Sequence, residues 1–530
     1  MHLVWNKKRK AGKDIMLRRK AYYTGMGLLF CIFLITRVWR IDMIPFGLHY
    51  DEAGMAYDAW CLSQYGVDRY LDSWPLYLPN YGGGQSVLYA YLCAGFFKIF
   101  GYHFLLIRLP AILFSVLTFV FGIKIMEKLY PDEWMPAFAV GLLLTICPAL
   151  ILQGRLGLDC YLVLGTSTVF LYLFLCAVEG SGRGYYIGAG FTGGMLLYTY
   201  ALTYFILPFF LLMSLLYVIR VKKFLWKGWF AMSIPMALLA VPLILIQIIN
   251  LFDFQEVRMG CFTLTKLDFY RVGEFSAFRV LQLLQTLWYV FLKSDFMYVS
   301  VPGFMNLYVL TIPFFCVGLA SLLKTAYKSM KKRESNSHIY LLIYFMSYFL
   351  LFGFLSPNGY RITGIYFVVI AIAVCGFWKL CSFEMGKAGK RLVLKVQIAV
   401  VAMYFIAFMK FAHYYYMGGY AAETTSMIHF DILVKEGIEY LENHPEYQNM
   451  GTYMAEPVTF YVLSTLKSPY MYRYEPNILD SDYYICGSLP EIQDGYNYIV
   501  RNIYWDYMEE LREKGYTEVK FTGYSLFYQE

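Results

Sequence analysis

Three short stretches of the 530-residue chain carry side chains able to move a proton or hold an anion. The first is Asp51-Glu52, in the run Leu48-His49-Tyr50-Asp51-Glu52-Ala53-Gly54. The second holds Arg155 and Asp159, in Gln153-Gly154-Arg155-Leu156-Gly157-Leu158-Asp159, and the third holds Asn358 and Arg361, in Ser356-Pro357-Asn358-Gly359-Tyr360-Arg361. A carboxylate within hydrogen-bond reach of a hydroxyl serves as a general base, and an arginine fork matches phosphate with two parallel hydrogen bonds. The set therefore suits a substrate that carries a phosphate and reacts by proton transfer. Each residue also has a structural reading. Asp51 is placed to cap a helix, Arg155 and Asp159 have the spacing of an i,i+4 ion pair, and Arg361 stands where a cation snorkels from a helix end. Tyr57, Tyr77, Tyr81, Tyr89 and Tyr91 read as interfacial belt residues, and His49 has no partner at metal-ligand spacing. The functional reading rests on the three loops meeting on one face.

Whether they meet depends on the elements between them. The chain is 59% hydrophobic, 20% aromatic and 15% charged, where a soluble domain has about 25% charged residues. Its repeated apolar stretches of about 20 residues match a hydrocarbon core roughly 30 Å thick. This composition excludes a soluble globule and defines a polytopic helical membrane protein. The net charge of +8 does not mark a nucleic-acid binder. The basic residues form short clusters between apolar segments (Lys7-Lys8-Arg9-Lys10, Arg18-Arg19-Lys20, Lys331-Lys332-Arg333), which is the positive-inside pattern. No small-residue cleavage site follows the first cluster, so the first apolar run reads as a retained anchor. Of the 11 cysteines, Cys31, Cys147, Cys176, Cys316 and Cys375 lie in apolar segments, and no CxxC or metal-ligand spacing occurs.

The basic N-terminus places residue 1 in the cytoplasm, so the first helix, roughly 22–38, runs outward. Residues 41–85, rich in aromatics, Gly and Pro, then form an ordered external loop. Residues 86–100 are apolar but short for a span. Taken as an interfacial or re-entrant helix, they leave Lys124, Lys128, Lys222-Lys223-Lys227, Lys331-Lys332-Arg333 and Lys387-Lys390-Arg391 all on the inner side. Helices follow at 104–126, 134–152, 160–178, 184–201, 203–219, 228–250, 305–324, 338–355, 361–381 and 391–411, which with the first makes about eleven. The three candidate loops, the segment 251–304 and everything after 411 then lie outside. Residues 412–530 read as a small external α+β domain following a membrane domain of residues 1–411. Strand-like alternation appears in Tyr483-Tyr484-Ile485-Cys486, Tyr496–Val500 and Glu518–Tyr528, and a helix from Trp505 to Lys514.

Read in order, these residues resemble the GT-C superfamily of glycosyltransferases that use lipid-linked sugars. The resemblance is to the bacterial branch grouped with the protein mannosyltransferases and the aminoarabinose lipid A transferases. It is carried by Asp51-Glu52-Ala53 after the first helix, Tyr57-Asp58-Ala59, Pro75-Leu76-Tyr77 and Gly82-Gly83-Gly84-Gln85-Ser86-Val87-Leu88-Tyr89-Ala90-Tyr91-Leu92. Phe97-Lys98-Ile99-Phe100-Gly101, Ile107-Arg108-Leu109-Pro110-Ala111, Gly154–Asp159 and Asn358-Gly359-Tyr360-Arg361 complete it. The resemblance is closest over residues 22–205.

It implies an inverting hexosyl- or pentosyltransferase of the cytoplasmic or inner membrane. The donor would be a sugar on a polyprenyl phosphate, and the acceptor a cell-envelope glycan, polymer or protein hydroxyl at the outer face. On this resemblance Asp51 is the base or acceptor-orienting residue and Asp159 the second catalytic carboxylate, beside the donor, with Glu52, Tyr57, Gln85, Arg155, Asn358 and Arg361 binding substrate. Two departures from the aminoarabinose branch stand out: Gly54 replaces an arginine, and Gln85-Ser86-Val87 replaces Lys-Pro-Pro. Lipid A modification is therefore not expected. The lost cations leave open whether Arg155, Arg361 or a divalent metal held by Asp51 and Asp159 faces the phosphate, or whether the donor differs. No cofactor is otherwise implied. The alternatives are a flippase for lipid-linked sugars or a non-catalytic assembly protein. A transporter places polar residues along helix centres, whereas here the ionisable residues gather in loops.

Overall fold

The computed structural model describes residues 2–79, 84–267, 274–292, 300–387, 389–420, 430–431, 434–448, 451–454, 463–466, 468–469, 483–485 and 489–529. Tyr81, Gly82, Gly83 and Cys486, named above, lie outside them. The membrane-type part comprises α1 (His2–Val38), α2 (Tyr50–Tyr65), α3 (Leu88–Phe100), α4 (Phe104–Leu129), α5 (Trp134–Ile146), α6 (Pro148–Gln153), α7 (Leu162–Val178) and α8 (Arg183–Leu197). It continues with α9 (Thr203–Arg220), α10 (Trp226–Leu251), α11 (Val280–Phe291), α12 (Thr311–Lys332), α13 (Ile339–Leu351), α14 (Tyr366–Lys387) and α15 (Lys390–Ala412). Every stretch expected to span falls on a helix. Among the described residues, seven helical segments are long and apolar enough to cross a membrane by themselves, so a count of eleven spans does not follow from length and composition.

The boundaries moved for identifiable reasons. The expected helix 134–152 is broken between α5 and α6, because Pro148 has no N–H to continue the ladder. The expected helix 305–324 lies later, over Thr311–Lys332, and ends on Lys331 and Lys332, where cations meet the negative end of the helix dipole.

α3 has 13 residues and is about 20 Å long, too short to cross. Arg108, in the second turn of α4, donates to the carbonyls of Ile41 at 2.7 Å and Gly47 at 2.6 Å, just beyond α1. The chain therefore leaves α1 and enters α4 at the same end of the bundle. The opposite end is basic. There Lys128 pairs with Glu179 at 2.6 Å, Ser337 donates to the same carboxylate, and the amide of Asn336 donates to Tyr217 Oη at 2.9 Å. Lys331, Lys332 and Arg333 close α12 at that end, and Lys222 and Lys223 follow α9 there.

Helix packing follows small residues. α12 and α14 pack against each other at Gly318 and Gly376, where an added Cβ would collide with the carbonyls of Ile372 and Phe314 respectively. Small residues at such crossings let two apolar helices approach closely in lipid. Between α2 and α3, the connection is pinned by a buried bidentate pair: Arg69 Nε and Nη2 donate to Asp58 Oδ1 and Oδ2 at 2.8 and 2.7 Å.

The C-terminal part contains a five-stranded sheet in the order β6 (Tyr483–Ile485), β5 (Thr452–Met454), β7 (Asn497–Arg501), β9 (Tyr524–Tyr528), β8 (Thr517–Lys520). Its helices include α16 (Lys435–Glu442) and α17 (Trp505–Glu513). β5 runs parallel to β6 and β7, while β7–β9 and β8–β9 are antiparallel. The expected final strand 518–528 is a hairpin turning at Gly523, whose φ is +87°. The sheet is not remote from the bundle. Val434, Ile438, Leu526 and Tyr528 share one apolar cluster with Ala56, Tyr57 and Tyr89 of α2 and α3. β1 (Leu48–His49) pairs antiparallel with β4 (Phe430–Asp431), a link with no signal in the sequence pattern.

Replacing Gly318 or Gly376 by Ala is expected to lower stability by about 1–3 kcal/mol through overpacking. Thermal unfolding of the detergent-solubilised protein reads this; an unchanged midpoint in both variants would count against the close crossing.

Candidate active site

The site begins with the way α2 starts. His49 is its N-cap, with Nδ1 accepting from the Asp51 amide at 3.1 Å, while Glu52 Oε2 accepts from the His49 amide at 2.9 Å. This is a capping box with histidine in place of the usual Ser or Thr. The cap is thus supplied by His49 and Glu52. Asp51 stands one residue before Glu52 with its side chain 36% exposed.

Glu52 is enclosed. Arg108 Nε donates to its Oε1 at 3.2 Å and Nη2 to its Oε2 at 3.4 Å, and the amide of Gly157 donates to Oε1. Both side chains are fully buried. Glu52 therefore joins α2, α4 and the 154–159 loop, and does not face a substrate. Gly157 follows from this contact, since a Cβ there would lie 3.0 Å from Glu52 Oε1 and 2.9 Å from the carbonyl of Ile107.

Arg155 is likewise internal. Nε donates to Ile44 O at 3.1 Å, Nη1 to Thr36 O and Arg37 O at 3.2 and 3.0 Å, and Nη2 to Trp39 O and Ile44 O at 2.8 and 2.7 Å. All five N–H donors of a guanidinium are thereby used, by carbonyls at the end of α1, which the helix itself leaves unpaired, and in the irregular turn that follows it. It neither pairs with Asp159 nor presents itself to a phosphate. Tyr57 is also buried, with its ring stacked on Trp60 at 5.9 Å.

The structure does bring Asp51, Asp159 and Arg361 to one region. Asp159 lies in a 3-10 turn leading into α7. Its Oδ1 accepts from the Cys160 amide at 2.7 Å and its Oδ2 from the Ser86 amide at 3.2 Å. The Gln85 side chain lies beside it, and it is close enough to Asp51 for their charges to interact. Gln85 is held in place by reciprocal backbone hydrogen bonds with Leu78 at 2.9 and 2.7 Å. The third loop docks on the other two: Thr363 Oγ1 donates to Cys160 O at 3.1 Å, and Tyr360 Oη is 3.2 Å from His49 Nε2. Asn358 Oδ1 accepts from the amides of Tyr360 and Arg361 at 3.1 and 2.9 Å, so its oxygen shapes the turn that presents Arg361.

Asp159 and Arg361 line a cavity of about 320 Å³, walled largely by aromatic side chains including Tyr77, Tyr200, Tyr204 and Phe275. Arg361 Nη1 donates to Ser356 O at 2.8 Å, and Nη2 is paired with Glu274 on the same wall. Glu274 was not singled out from the sequence; its only signal was a carboxylate in an otherwise aromatic part of the 251–304 segment. Among the described residues, no three His, Cys, Asp or Glu side chains converge as a metal site. Asp51 and Asp159 form a pair of carboxylates only, and both oxygens of Asp159 already accept from backbone amides.

A bundle of long apolar helices with its polar loops gathered at one end, joined to a small mixed sheet, is the architecture of a multi-pass membrane protein. Among solved structures the chain is similar to ArnT from Cupriavidus metallidurans in the apo state, with a TM-score of 0.53 at 12% identity over 96% of this chain and 98% of that one. It is similar also to the same protein bound to undecaprenyl phosphate, with a TM-score of 0.52 at 13% identity over 95% and 97% of the two chains. No family model and no curated protein matches the sequence, so the likeness is one of fold.

The two arginine classes differ in what they hold, and stability separates them. Glu52→Gln strands Arg108 in the interior and is expected to lower stability by about 3–5 kcal/mol. Arg361→Ala, losing a partly solvated pair, is expected to lower it by less than about 1 kcal/mol. Thermal melts of the two variants side by side check the assignment, which reversed magnitudes would overturn.

Proposed function

We propose that the protein is a membrane glycosyltransferase that moves a sugar from a polyprenyl-phosphate donor to a hydroxyl of a cell-envelope acceptor, with inversion at the anomeric carbon. The observation that carries this reading is the meeting of Asp159 and Arg361 in one cavity lined by aromatic and aliphatic side chains, with Asp51 close enough to Asp159 for their charges to interact. A shared fold with a protein bound to undecaprenyl phosphate supports it.

Near neutral pH a hydroxyl is a weak nucleophile. Asp51 accepts its proton as the oxygen bonds to the anomeric carbon, within the range of general-base catalysis. The bond from that carbon to the phosphate oxygen breaks, and its electron pair leaves with the lipid phosphate. Arg361, released from Glu274 when the donor phosphate takes that place, meets the charge developing on the leaving group. Asp159, on the cavity wall, orients the donor sugar. The leaving phosphate departs as a stable anion, so no second carboxyl is needed to protonate it, in contrast to a glycosidase. Attack opposite the leaving group inverts the centre. The aromatic wall suits both the sugar ring and the first isoprene units.

The side of the membrane follows from charge. The end opposite the site carries the basic clusters, and such clusters face the cytoplasm. The site and the C-terminal sheet are then on the outer face.

Release of undecaprenyl phosphate from a panel of undecaprenyl-phosphate hexoses and pentoses, in the presence of envelope acceptors, measures turnover by the solubilised protein. Asp51→Asn is expected to lower turnover by about 10²–10⁴-fold while undecaprenyl phosphate still binds. Arg361→Ala is expected to weaken that binding by about tenfold or more, the loss of a charge-assisted hydrogen bond. Full turnover by normally expressed Asp51→Asn protein would sink the assignment of the base.

Orientation has its own test. In a background lacking the exposed Cys31, Cys261 and Cys316, a cysteine replacing exposed Met43 is expected to react with a membrane-impermeant maleimide on intact cells. One replacing Lys223 should react only after permeabilisation. The reverse pattern would place the site in the cytoplasm.

A further inference from the structure

We infer that His49 is a positioning residue for the reaction, holding Asp51 in register with the loop that carries Arg361. This rests on the reading of Asp51 as the base. His49 is 3% exposed, and four of its groups are directed at four different parts of the molecule. Its Nδ1 accepts from the Asp51 amide at 3.1 Å, and its Nε2 lies 3.2 Å from Tyr360 Oη. Its backbone amide donates to Glu52 at 2.9 Å, and its backbone pairs with Phe430 in the strand leading to the C-terminal sheet.

The ring's hydrogen bonds define its tautomer. A nitrogen that accepts from an amide carries no proton, so the proton is on Nε2, directed at Tyr360. The same Nδ1 is 3.6 Å from Asp51 Oδ2, beyond hydrogen-bond length. His49 thus fixes the backbone of Asp51 through its amide rather than through a ring hydrogen bond to the carboxylate.

This accounts for histidine at an N-cap. Ser, Asp or Asn would accept the Asp51 amide equally well, but none is long enough to reach Tyr360 at the same time. Only a ring with nitrogens on two sides caps the helix of the base and grips the phosphate loop together. Tyr360 is followed directly by Arg361, so the grip sets the separation between the base and the cation. Small errors in such separations slow catalysis without weakening ground-state binding.

Substitutions can divide the two functions. His49→Asn keeps an acceptor near the position of Nδ1 and loses the contact with Tyr360. Tyr360→Phe loses the same contact from the other side, and His49→Ala loses both functions. The readouts are kcat and KM for whichever undecaprenyl-phosphate sugar the wild type turns over, undecaprenyl phosphate affinity, and thermal midpoint, all on the full-length protein.

His49→Asn and Tyr360→Phe are each expected to lower kcat by about tenfold, with undecaprenyl phosphate affinity unchanged. The double variant should be no worse than either alone, because both remove one contact. His49→Ala should lose about a hundredfold, and His49→Asn should recover part of that loss. A merely structural histidine would lower the thermal midpoint and leave the kcat of the folded fraction untouched. That result in His49→Ala, with Asp51→Asn inactive, would overturn the positioning role alone. If His49→Ala does not fold, the Asn–Phe pair decides, and multiplying losses would overturn the role. Full activity in Asp51→Asn would instead remove the base assignment on which the inference stands.

Discussion

The buried Glu52–Arg108 pair is the constraint on which the rest of this site depends. An ion pair taken out of water survives only where further hydrogen bonds satisfy both partners. Here they are supplied by backbone: the carbonyls of Ile41, Pro45 and Gly47 accept from Arg108, and the amides of His49 and Gly157 donate to Glu52. Arg155 does the same for the preceding residues, with every donor on a carbonyl between Thr36 and Ile44. The connection from α1 to α2 is irregular backbone beside a membrane, where unpaired carbonyls are costly. Two arginines reaching from later parts of the chain satisfy them. The result is a rigid floor, and the loop at its edge carries Asp51.

That floor explains the division of labour within Asp51-Glu52. The two carboxylates are adjacent in sequence, yet α2 turns them to opposite fates. Glu52, at the third helical position, points back into the cap and the arginine; Asp51, one position earlier, keeps a partly exposed side chain whose charge Asp159 feels. A local charge pair such as this has no meaning until the helix phase is known. Starting α2 one residue earlier would put Asp51 at the third helical position, where Glu52 now closes the cap.

The sequence showed the class of architecture and the three loops well, because hydrophobic length and charge clustering are properties of composition. It also placed Asp51, Asp159 and Arg361 on one side. It misjudged Arg155, Glu52 and Tyr57, for a common reason. Polar residues in a membrane-protein loop look functional by default. Nothing in their spacing reveals that Arg108 and the Gly157 amide meet Glu52, that carbonyls more than a hundred residues earlier in the chain meet Arg155, or that Tyr57 stacks on Trp60. Arg108 was noticed only as part of a motif, and its contacts give it the larger structural role. β1–β4 pairing was invisible, since two-residue strands carry no periodicity. Glu274 was hidden in a segment where aromatic composition, rather than charge, drew attention.

The Glu274–Arg361 pair bears on how a donor would enter. Arg361 in an aromatic cavity without a counter-charge would be poorly solvated, and Glu274 supplies that charge in the absence of donor. A lipid phosphate brings one negative charge of its own, so exchanging it for the Glu274 carboxylate changes the local charge balance little. The electrostatic gain on entry is therefore small, and the driving force falls to the apolar surface that the lipid buries against the cavity wall and the neighbouring helices. On the proposed mechanism Arg361 would then act chiefly on the leaving group, whose charge grows as the bond breaks. Interactions stronger in the transition state than in the ground state are the ones that accelerate the step. An arginine already compensated before the donor arrives is well suited to contribute in that way, because little of its attraction is used in holding the donor.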